Sequence, residues 1–237
     1  MHRYGLLWID EEALFQVTRN TFKNAILKKD ALPLDPFSTI AQAEIFDCSV
    51  DDVITFDEMR AKNKSLSNAI GLWHQRVLGL SPHFEELGAS GGVVDLKSVS
   101  GFVHPVYRKP LYLEVKNRFN TIKSSDEKIV WDKLDEIARC NAAISYLVQI
   151  VPASPDAYDK PWEPSGRKPK DFVRVCDGVT AYALAFDRDD ALYRVFHALP
   201  GILADVIVDY GLAVPHALCE VDLDGVFNAV MPSAPKN

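Results

Sequence analysis

Two carboxylates and a lysine near the middle of the chain have the types and the spacing for chemistry at a phosphate ester. Glu114 and Lys116 stand two residues apart in an apolar run at residues 111–116, and Asp95 directly follows two valines. Residues two apart on a strand project from the same face, so Glu114 and Lys116 are expected side by side. A neighbouring strand that carries Asp95 would bring its carboxylate to the same point.

Carboxylates that converge on one point repel each other unless a cation lies between them. Oxygen ligands with open positions suit Mg²⁺, which keeps some of its waters and binds substrate phosphate. We therefore predict that Asp95 and Glu114 are metal ligands for Mg²⁺. Lys116 completes the predicted catalytic set, because a lysine beside the metal can orient or deprotonate a water that attacks phosphorus.

The [DE]xK spacing by itself is weak, since the chain contains it at Asp95–Lys97, Glu114–Lys116 and Asp126–Lys128. The second occurrence, Glu114–Lys116, differs from the others because it lies in an apolar strand pattern. A second short strand pattern, which ends with Asp95, comes before it in the sequence. The alternative for this context is a surface hairpin that exposes a Glu and a Lys to solvent.

The patterns around this set predict helices first, then strands, then helices again. Apolar spacing predicts a helix that Asp10 caps and that continues to Ile26. Further helices are predicted at residues 37–46, 49–59 and 65–78, at 131–149 (with strand as the alternative for 146–151), and at 190–199 and 202–210. Strands are predicted at 93–96, 103–107, 111–116, 172–175 and 180–186, with a glycine loop at 88–92 and a proline-rich loop at 152–169.

This order of elements predicts an α/β (α+β) fold with a central mixed sheet flanked by helices. We expect a single domain over residues 1–237, with a mainly helical N-terminal part at 1–80 and the core at 88–200. A chain of 237 residues suits one domain of this kind.

Composition and charge narrow the function classes. No run of about 18 apolar residues is present, and no signal peptide is recognisable, so we expect a cytoplasmic protein without a membrane segment. The net charge is −7, but residues 97–128 hold seven Lys/Arg against three Asp/Glu, and residues 160–174 hold five against two. The four cysteines are isolated and do not have the spacing of a zinc site. No GxGxxG or Walker sequence is present, which argues against a metabolic enzyme with a nucleotide cofactor.

The residues around Glu114 resemble a known family. The run LEVKNRFNTIKSSD at 113–126 is similar to the EVKNxxNTxKxSD block of the Eco47II-like type II restriction endonucleases. Other segments agree with that family in order along the chain, from about residue 33 to 200: AIGLWHQRVLG at 69–79, GGVVD at 91–95, KPW at 160–162, RVCDG at 174–178, YALA at 182–185, ALYR at 191–194 and LP at 199–200.

The resemblance implies a PD-(D/E)xK nuclease core and Mg²⁺-dependent hydrolysis of phosphodiester bonds in double-stranded DNA. It implies the roles given above for Asp95, Glu114 and Lys116, and a short palindromic site of the GG-(one base pair)-CC type. A palindrome is most simply read by a two-fold symmetric pair of subunits, so a homodimer is expected. A DNA methyltransferase is the expected functional partner.

Other polar residues are candidates for contact with DNA. Small polar and basic side chains after the catalytic strand suit phosphates, whereas Arg and Lys of the proline-rich loop suit guanine in the major groove. The alternatives are a self-satisfied turn and a solvated loop. The DNA-binding candidates are Asn117, Arg118, Asn120, Thr121, Lys123, Ser124, Arg167, Lys168, Lys170 and Arg174, and the candidates for support of the metal site are Glu44, His74 and Gln75.

Two other functions remain open at this point. One is a repair or recombination nuclease with the same core that acts on DNA without sequence specificity. The other is a DNA-binding protein that has kept the fold without catalysis, which the three intact catalytic positions disfavour.

Overall fold

The computed structural model describes residues 3–27, 35–88, 94–214 and 221–236. Of the predicted glycine loop at 88–92, Gly88 alone is among the described residues. The first residue of the predicted strand at 93–96 also lies outside them. The described elements are, in chain order, α1 (Glu11–Leu27), α2 (Pro36–Phe46), α3 (Val50–Leu78), β1 (Phe84–Glu86), β2 (Leu96–Ser98), β3 (Leu111–Arg118), α4 (Ser124–Cys140), β4 (Ile144–Val151), β5 (Asp159–Pro161), β6 (Val173–Asp177), α5 (Gly178–Phe186), α6 (Ala191–Asp209) and α7 (Leu223–Asn228).

The strands form one mixed sheet in the order β1-β2-β3-β4-β6-β5. The central strands β3, β4 and β6 are parallel, whereas β1, β2 and β5 pair antiparallel with their neighbours. Helices lie on both sides of the sheet and the N-terminal region is helical. The predicted fold class, a mixed sheet flanked by helices, is therefore confirmed.

The two faces of the sheet contact different helices. Leu113 and Val115 belong to the larger core, together with Trp73 of α3 and Tyr182 of α5. The other face packs on α4 through a smaller cluster that includes Trp131 and Leu134. Because side chains alternate along a strand, Glu114 and Lys116 lie on the face that α4 covers.

Helix α3 is longer than the sequence predicts. Residues 49–59 and 65–78 were predicted as separate helices, but one helix of 29 residues spans both. No proline or glycine interrupts residues 59–65. Ser49 begins the helix with a reciprocal capping box to Asp52, and Gly79 follows its end.

The prediction of a strand at 180–186 is wrong, because these residues belong to helix α5. Asp177 is its N-cap and accepts the backbone N–H of Thr180 at 2.7 Å. Alternating alanines with larger residues imitated a strand pattern, but α5 is buried on several sides, and a buried helix shows no amphipathic stripe.

The predicted helices at 190–199 and 202–210 are one helix, α6, with Pro200 inside it. Leu192 and Val195 before the proline and Ile202 and Val206 after it are all buried, so packing holds both halves in line. Among the described helices, α6 alone has the length and apolar content of a membrane span. Four of its residues, Ala191, Leu192, Val195 and Ile202, belong to the larger core.

The predicted strand at 103–107 is also wrong. These residues form a turn in which the backbone N–H groups of Val106 and Tyr107 donate to His104 Nδ1. The alternative given for residues 146–151 is confirmed, because α4 ends at Cys140 and β4 follows. The chain leaves the sheet after β2 and returns to it at β3.

Candidate active site

Asp95 lies immediately before β2, beside the middle of β3. The backbone N–H of Asp95 donates to Leu113 O at 3.0 Å, and Leu96 pairs with Leu113 in the sheet. The Asp95 side chain is also fixed, since its Oδ2 accepts the Val115 N–H at 2.7 Å. Backbone and side chain together therefore hold Asp95 next to Glu114.

Glu114 and Lys116 project from the same face of β3, as their spacing predicts. Lys116 Nζ donates to Glu114 Oε1 at 2.5 Å. Both side chains are only partly buried, at 17% exposure for Glu114 and 28% for Lys116. This ion pair is therefore accessible to a substrate while the strand that carries it is anchored in the core.

The electrostatics at Asp95 show a carboxylate without a compensating cation. Burial, followed by the negative charge of Glu114, raises the pKa of Asp95 to about 6. The Val115 N–H and Lys116 act in the opposite direction but do not cancel these two effects. Charge repulsion between converging carboxylates is the condition that a divalent cation relieves.

Glu86 is a third carboxylate of this region, which the sequence did not single out. It ends β1 opposite Leu96, and its charge contributes to the raised pKa of Asp95. Gln75 of α3 donates to Glu86 Oε1 at 2.9 Å. Gln75, predicted to support the metal site, therefore reaches this region through Glu86. The signal for β1 was absent because a strand of three residues is too short for a periodic pattern.

The donor set fits a hard cation that retains water. One oxygen of Asp95 and one of Glu114 are engaged by Val115 and Lys116, and neither second oxygen has a hydrogen bond among the described residues. The described part of the chain has no group of three or more His, Cys, Asp or Glu arranged to hold a metal ion. Mg²⁺ is commonly bound by one or two carboxylates with waters and substrate phosphate in the remaining positions, so Asp95 and Glu114 suffice for it.

A second lysine lines the same side of the sheet. Glu114, Val130, Lys133 and Leu134 surround a small crevice of about 30 Å³ between β3 and α4. Lys133 is exposed and was not predicted as a site residue. The crevice places another cation near Glu114.

The predicted polar DNA contacts begin in the last two residues of β3 and continue into the turn that follows. Asn117 is half-buried and faces α3, where a side chain at Gly71 would come within 3.7 Å of its Cβ. Thr121 is committed to the turn, since its hydroxyl donates to Arg118 O at 2.7 Å. The exposed polar candidates in this segment are Arg118, Asn120, Thr121, Lys123 and Ser124.

The basic residues of the proline-rich loop are not equally available. Arg167 makes a two-pronged contact with Asp132 at 2.7 and 2.6 Å, and Lys170 contacts Asp135 at 2.6 Å. Arg174 is buried and pairs with Asp159 at 2.6 Å. Lys168 is exposed and has no hydrogen bond or ion pair among the described residues. The structure therefore does not bring Arg174 to the surface with the others.

Two remaining candidates lie apart from Asp95. Glu44 is exposed on α2, and no described hydrogen bond or ion pair joins it to the catalytic set. His74 contacts the Tyr182 hydroxyl at 2.8 Å, and burial lowers its pKa to about 3. His74 therefore links α3 to α5, and its lowered pKa keeps the imidazole neutral.

His104 likewise lies away from Glu114. It bonds to the hydroxyl of Tyr146, a residue of the larger core, at 3.0 Å. Tyr146 pairs with Leu113 in the sheet and shares its core face, whereas Glu114 projects from the other face.

Comparison with known proteins gives two results. The sequence model of the Eco47II restriction endonuclease family matches residues 7–208. The type II restriction enzyme Eco47II of Escherichia coli is 28% identical over 232 residues, which cover 89% of this chain and 93% of that enzyme.

Proposed function

The chain belongs to the Eco47II restriction endonuclease family, and on that premise we propose that it is a type II site-specific deoxyribonuclease. It hydrolyses phosphodiester bonds of double-stranded DNA with Mg²⁺, at a short palindromic site of the GG-N-CC kind, and leaves 5′-phosphate ends. Residues 1–237 act as one PD-(D/E)xK nuclease domain, with residues 1–80 as a helical part and 88–200 as the catalytic and DNA-reading part.

The convergence of Asp95, Glu114 and Lys116 is the observation that carries this proposal. Asp95 is bonded to the strand that bears the other two, through the backbone of the residue between them. Among the three [DE]xK sequences, in Glu114–Lys116 the lysine contacts the glutamate of its own motif, and the carboxylate of Asp95 lies beside that pair. The Lys97 ammonium instead contacts Glu85 at 2.9 Å, at the surface.

The residues divide the reaction as follows. Asp95 and Glu114 would hold Mg²⁺ through their unengaged oxygens. The ion, when bound, neutralises negative charge at the scissile phosphate and the leaving oxygen. Lys116 donates to Glu114 and orients the attacking water, or, as the neutral amine, takes a proton from it. A bond forms between that water and phosphorus as the bond from phosphorus to the 3′ oxygen breaks. The water gives up a proton to Lys116 or to solvent, and the 3′ oxygen takes a proton from solvent, which leaves a 3′ hydroxyl and a 5′ phosphate.

The surface beyond Lys116 suits the DNA backbone. Arg118, Asn120, Lys123 and Ser124 are exposed next to the catalytic strand, where donors to phosphates would position the duplex. Asn117 and Thr121 support the shape of that segment and remain candidates for contact. For base reading we favour Lys168 and Arg118, with Arg167 and Lys170 available if DNA displaces their acidic partners.

The proposal includes the partners that a restriction enzyme requires. A homodimer supplies one active site for each strand of a palindrome. A DNA methyltransferase of the same system protects host DNA, as a functional partner rather than a bound one. Both act in the cytoplasm of a bacterial or archaeal cell.

One digestion tests the activity and its specificity. Plasmid DNA of known sequence is incubated with the protein in Mg²⁺ buffer, and the fragment ends are sequenced. We expect discrete fragments whose ends share one short palindrome, and none with EDTA. The Lys116→Ala variant, purified in the same way, is the control for contaminating nuclease, which would give fragments without a shared sequence. Undiminished cleavage by this variant at the shared palindrome would contradict the mechanism.

The same digestion separates the rival functions. Cleavage at ends or junctions without a shared sequence would favour a repair or recombination nuclease. Specific binding without cleavage in Mg²⁺ or Mn²⁺ would favour a non-catalytic DNA-binding protein. DNA methylated within the shared palindrome should resist cleavage if the protein belongs to a restriction–modification pair.

A further inference from the structure

Helix α2 and the first part of α3 extend away from the core as a helical pair, which we call the arm (residues 36–66). Helix α3 has 29 residues and is therefore about 43 Å long at 1.5 Å per residue. After Val53, its next fully buried residue is Trp73, twenty positions later. Helix α2 buries Thr39 alone. Most of the arm is thus outside the hydrophobic core.

The arm nevertheless carries large apolar side chains in contact with solvent. Phe37 is 87% exposed, Phe56 is 56% exposed and Met59 is 62% exposed. The arm's exposed large apolar residues are Phe37, Ile40, Ile45, Phe46, Val50, Phe56, Met59 and Leu66. Summed over the two helices they expose on the order of 800 Å² of side-chain surface. Large apolar side chains grouped at the surface of one element mark an interaction site.

On α3 three of these residues, Phe56, Met59 and Leu66, form one stripe, whereas Val50 points to another side of the helix. They are spaced by three and seven positions, and 100° per residue places them within an arc of about 80°. The half-buried positions Asp57 and Ala61 lie on the other side of the helix, and α2 packs on α3. The stripe therefore faces outward, with no described element against it.

The charges beside the stripe indicate which partner fits it. Residues 51–58 contain four acidic and no basic residues, and residues 60–64 contain three basic and no acidic ones. An antiparallel copy of the same helix, related by a two-fold axis between Asp57 and Glu58, sets Asp51 of each helix opposite Lys64 of the other. At the axis itself, Asp57 is paired with Arg60 of its own helix at 2.8 Å. The same arrangement places Phe56 of each copy beside Met59 of the other. Such self-complementarity is the condition for an isologous two-fold interface.

We propose that the arm is the dimerisation surface of this protein and that its occupant is the arm of a second copy, with the α3 helices antiparallel. The inference rests on the proposed function in that a palindromic site calls for a two-fold dimer, but the surface itself is argued from the arm alone. DNA is a poor occupant for an apolar stripe whose first half is acidic, because nucleic acid binding requires net positive charge.

The first experiment removes the stripe. The double variant Phe56→Glu, Met59→Glu should sediment as a monomer at concentrations where the unaltered protein is a dimer. Its circular dichroism should be unchanged, because the substituted side chains are exposed and glutamate favours helix. Val208→Glu is the matched control, since Val208 is 59% exposed on α6, and it should remain dimeric.

The second experiment tests the antiparallel register. One variant is Asp51→Lys and the other is Lys64→Glu, the two positions that this register places opposite each other. Each alone should be monomeric through repulsion of like charges, and an equimolar mixture should form a heterodimer and recover double-strand cleavage. A dimer unaffected by all these changes, an unaltered protein that is monomeric when active, or a different protein on the stripe would overturn the proposal. A dimer dispersed by these variants in a protein that never cleaves DNA would instead contradict the proposed function and leave the arm's role standing.

Discussion

The Val115 backbone N–H donates to Asp95 Oδ2 at 2.7 Å, so the residue between Glu114 and Lys116 fixes the third member of the proposed catalytic set. This bond links the start of β2 to the middle of β3 by a side chain rather than by the regular ladder. The other carboxylate oxygen of Asp95 stays available to bind a cation. One oxygen of Asp95 therefore fixes the side chain, and the other can serve as a metal ligand.

We expect Asp95→Asn to separate these two roles. The amide oxygen can still accept the Val115 N–H, so the melting temperature should change little. The negative charge for Mg²⁺ is lost, and cleavage should fall roughly 10²–10³-fold, as when one preorganised electrostatic contact is removed. Rates on a cognate plasmid and thermal melts measure the two effects. A large fall in stability with the activity of the remaining folded protein intact would assign Asp95 a purely structural role.

The three [DE]xK sequences provide an internal comparison for the lysine. Lys116→Ala should reduce cleavage by about 10²–10⁴-fold, the range for a positioned group that assists proton transfer or orients water. Lys97 is the lysine of the first [DE]xK sequence, but it contacts Glu85 at the surface. The Lys97→Ala variant should therefore cleave at a rate within about twofold of the unaltered protein, because exposed ion pairs contribute little. Equal losses in both variants would contradict the assignment of Lys116.

The core of the site could be predicted because it depends on local rules. Alternation along β3 was sufficient to place Glu114 and Lys116 together, and the preceding short pattern was sufficient to nominate Asp95. Glu86 could not be found in this way, since β1 is three residues long and contributes its carboxylate only through pairing with β2. Long-range pairing of short strands leaves little trace in local sequence.

Two of the errors in the fold come from tertiary packing. Most of residues 180–186 are buried, and Val195 and Ile202 on either side of Pro200 are buried in the core, where packing outweighs local propensity. The sequence also does not show which charges are available, because Arg174, a predicted DNA-binding residue, is buried against Asp159. Lys168, six positions earlier, is exposed. Sequence gives the position of a charge but not its partner.

Asp190 predicts how acid affects the stability of the fold. Its carboxylate is 3% exposed and accepts bonds from Arg188 and Arg194. These contacts, with Arg188 first, lower its pKa to about 2. A lowered carboxylate pKa stabilises the folded state above the unfolded value near 3.8, and that contribution is lost as the pH falls towards about 2. Asp190→Asn should therefore cost about 1–2 kcal/mol at pH 7, reduced by the exposure of both arginines.

Urea unfolding of Asp190→Asn and the unaltered protein at pH 7 and at successively lower pH measures this effect. The difference in unfolding free energy should shrink as the pH falls below about 4. The control is Asp10→Asn, since Asp10 caps α1 and asparagine can take that role. A difference independent of pH would contradict the assigned charge interaction.

Lys168 and Arg174 should differ in DNA binding. In a Lys116→Ala background, Lys168→Ala should weaken binding and lower the slope of log affinity against log salt by about 1, if Lys168 contacts one phosphate. A base contact would instead relax the sequence preference. Arg174→Ala should leave that slope unchanged. It should lower the melting temperature, because the Asp159 carboxylate beside Tyr146 would lose its cationic partner. Fluorescence anisotropy over a salt series and thermal melts distinguish these results, and a salt slope altered by Arg174→Ala with stability unchanged would show that Arg174 is a DNA contact.

Glu86 should tune the Mg²⁺ requirement without being essential. Its charge acts on Asp95, and Gln75 orients it through a 2.9 Å hydrogen bond. Glu86→Gln should raise the Mg²⁺ concentration for half-maximal cleavage by roughly 10–100-fold, as for groups that support metal ligands, and Gln75→Ala should have a smaller effect in the same direction. Glu85→Gln is the matched control, because Glu85 is exposed and contacts Lys97, and its Mg²⁺ titration should overlay that of the unaltered protein. If the Mg²⁺ titration of Glu86→Gln also matched that of the unaltered protein, the metal-binding carboxylates would be limited to Asp95 and Glu114. If Glu86→Gln instead lost all cleavage at saturating Mg²⁺, Glu86 would belong to the catalytic set.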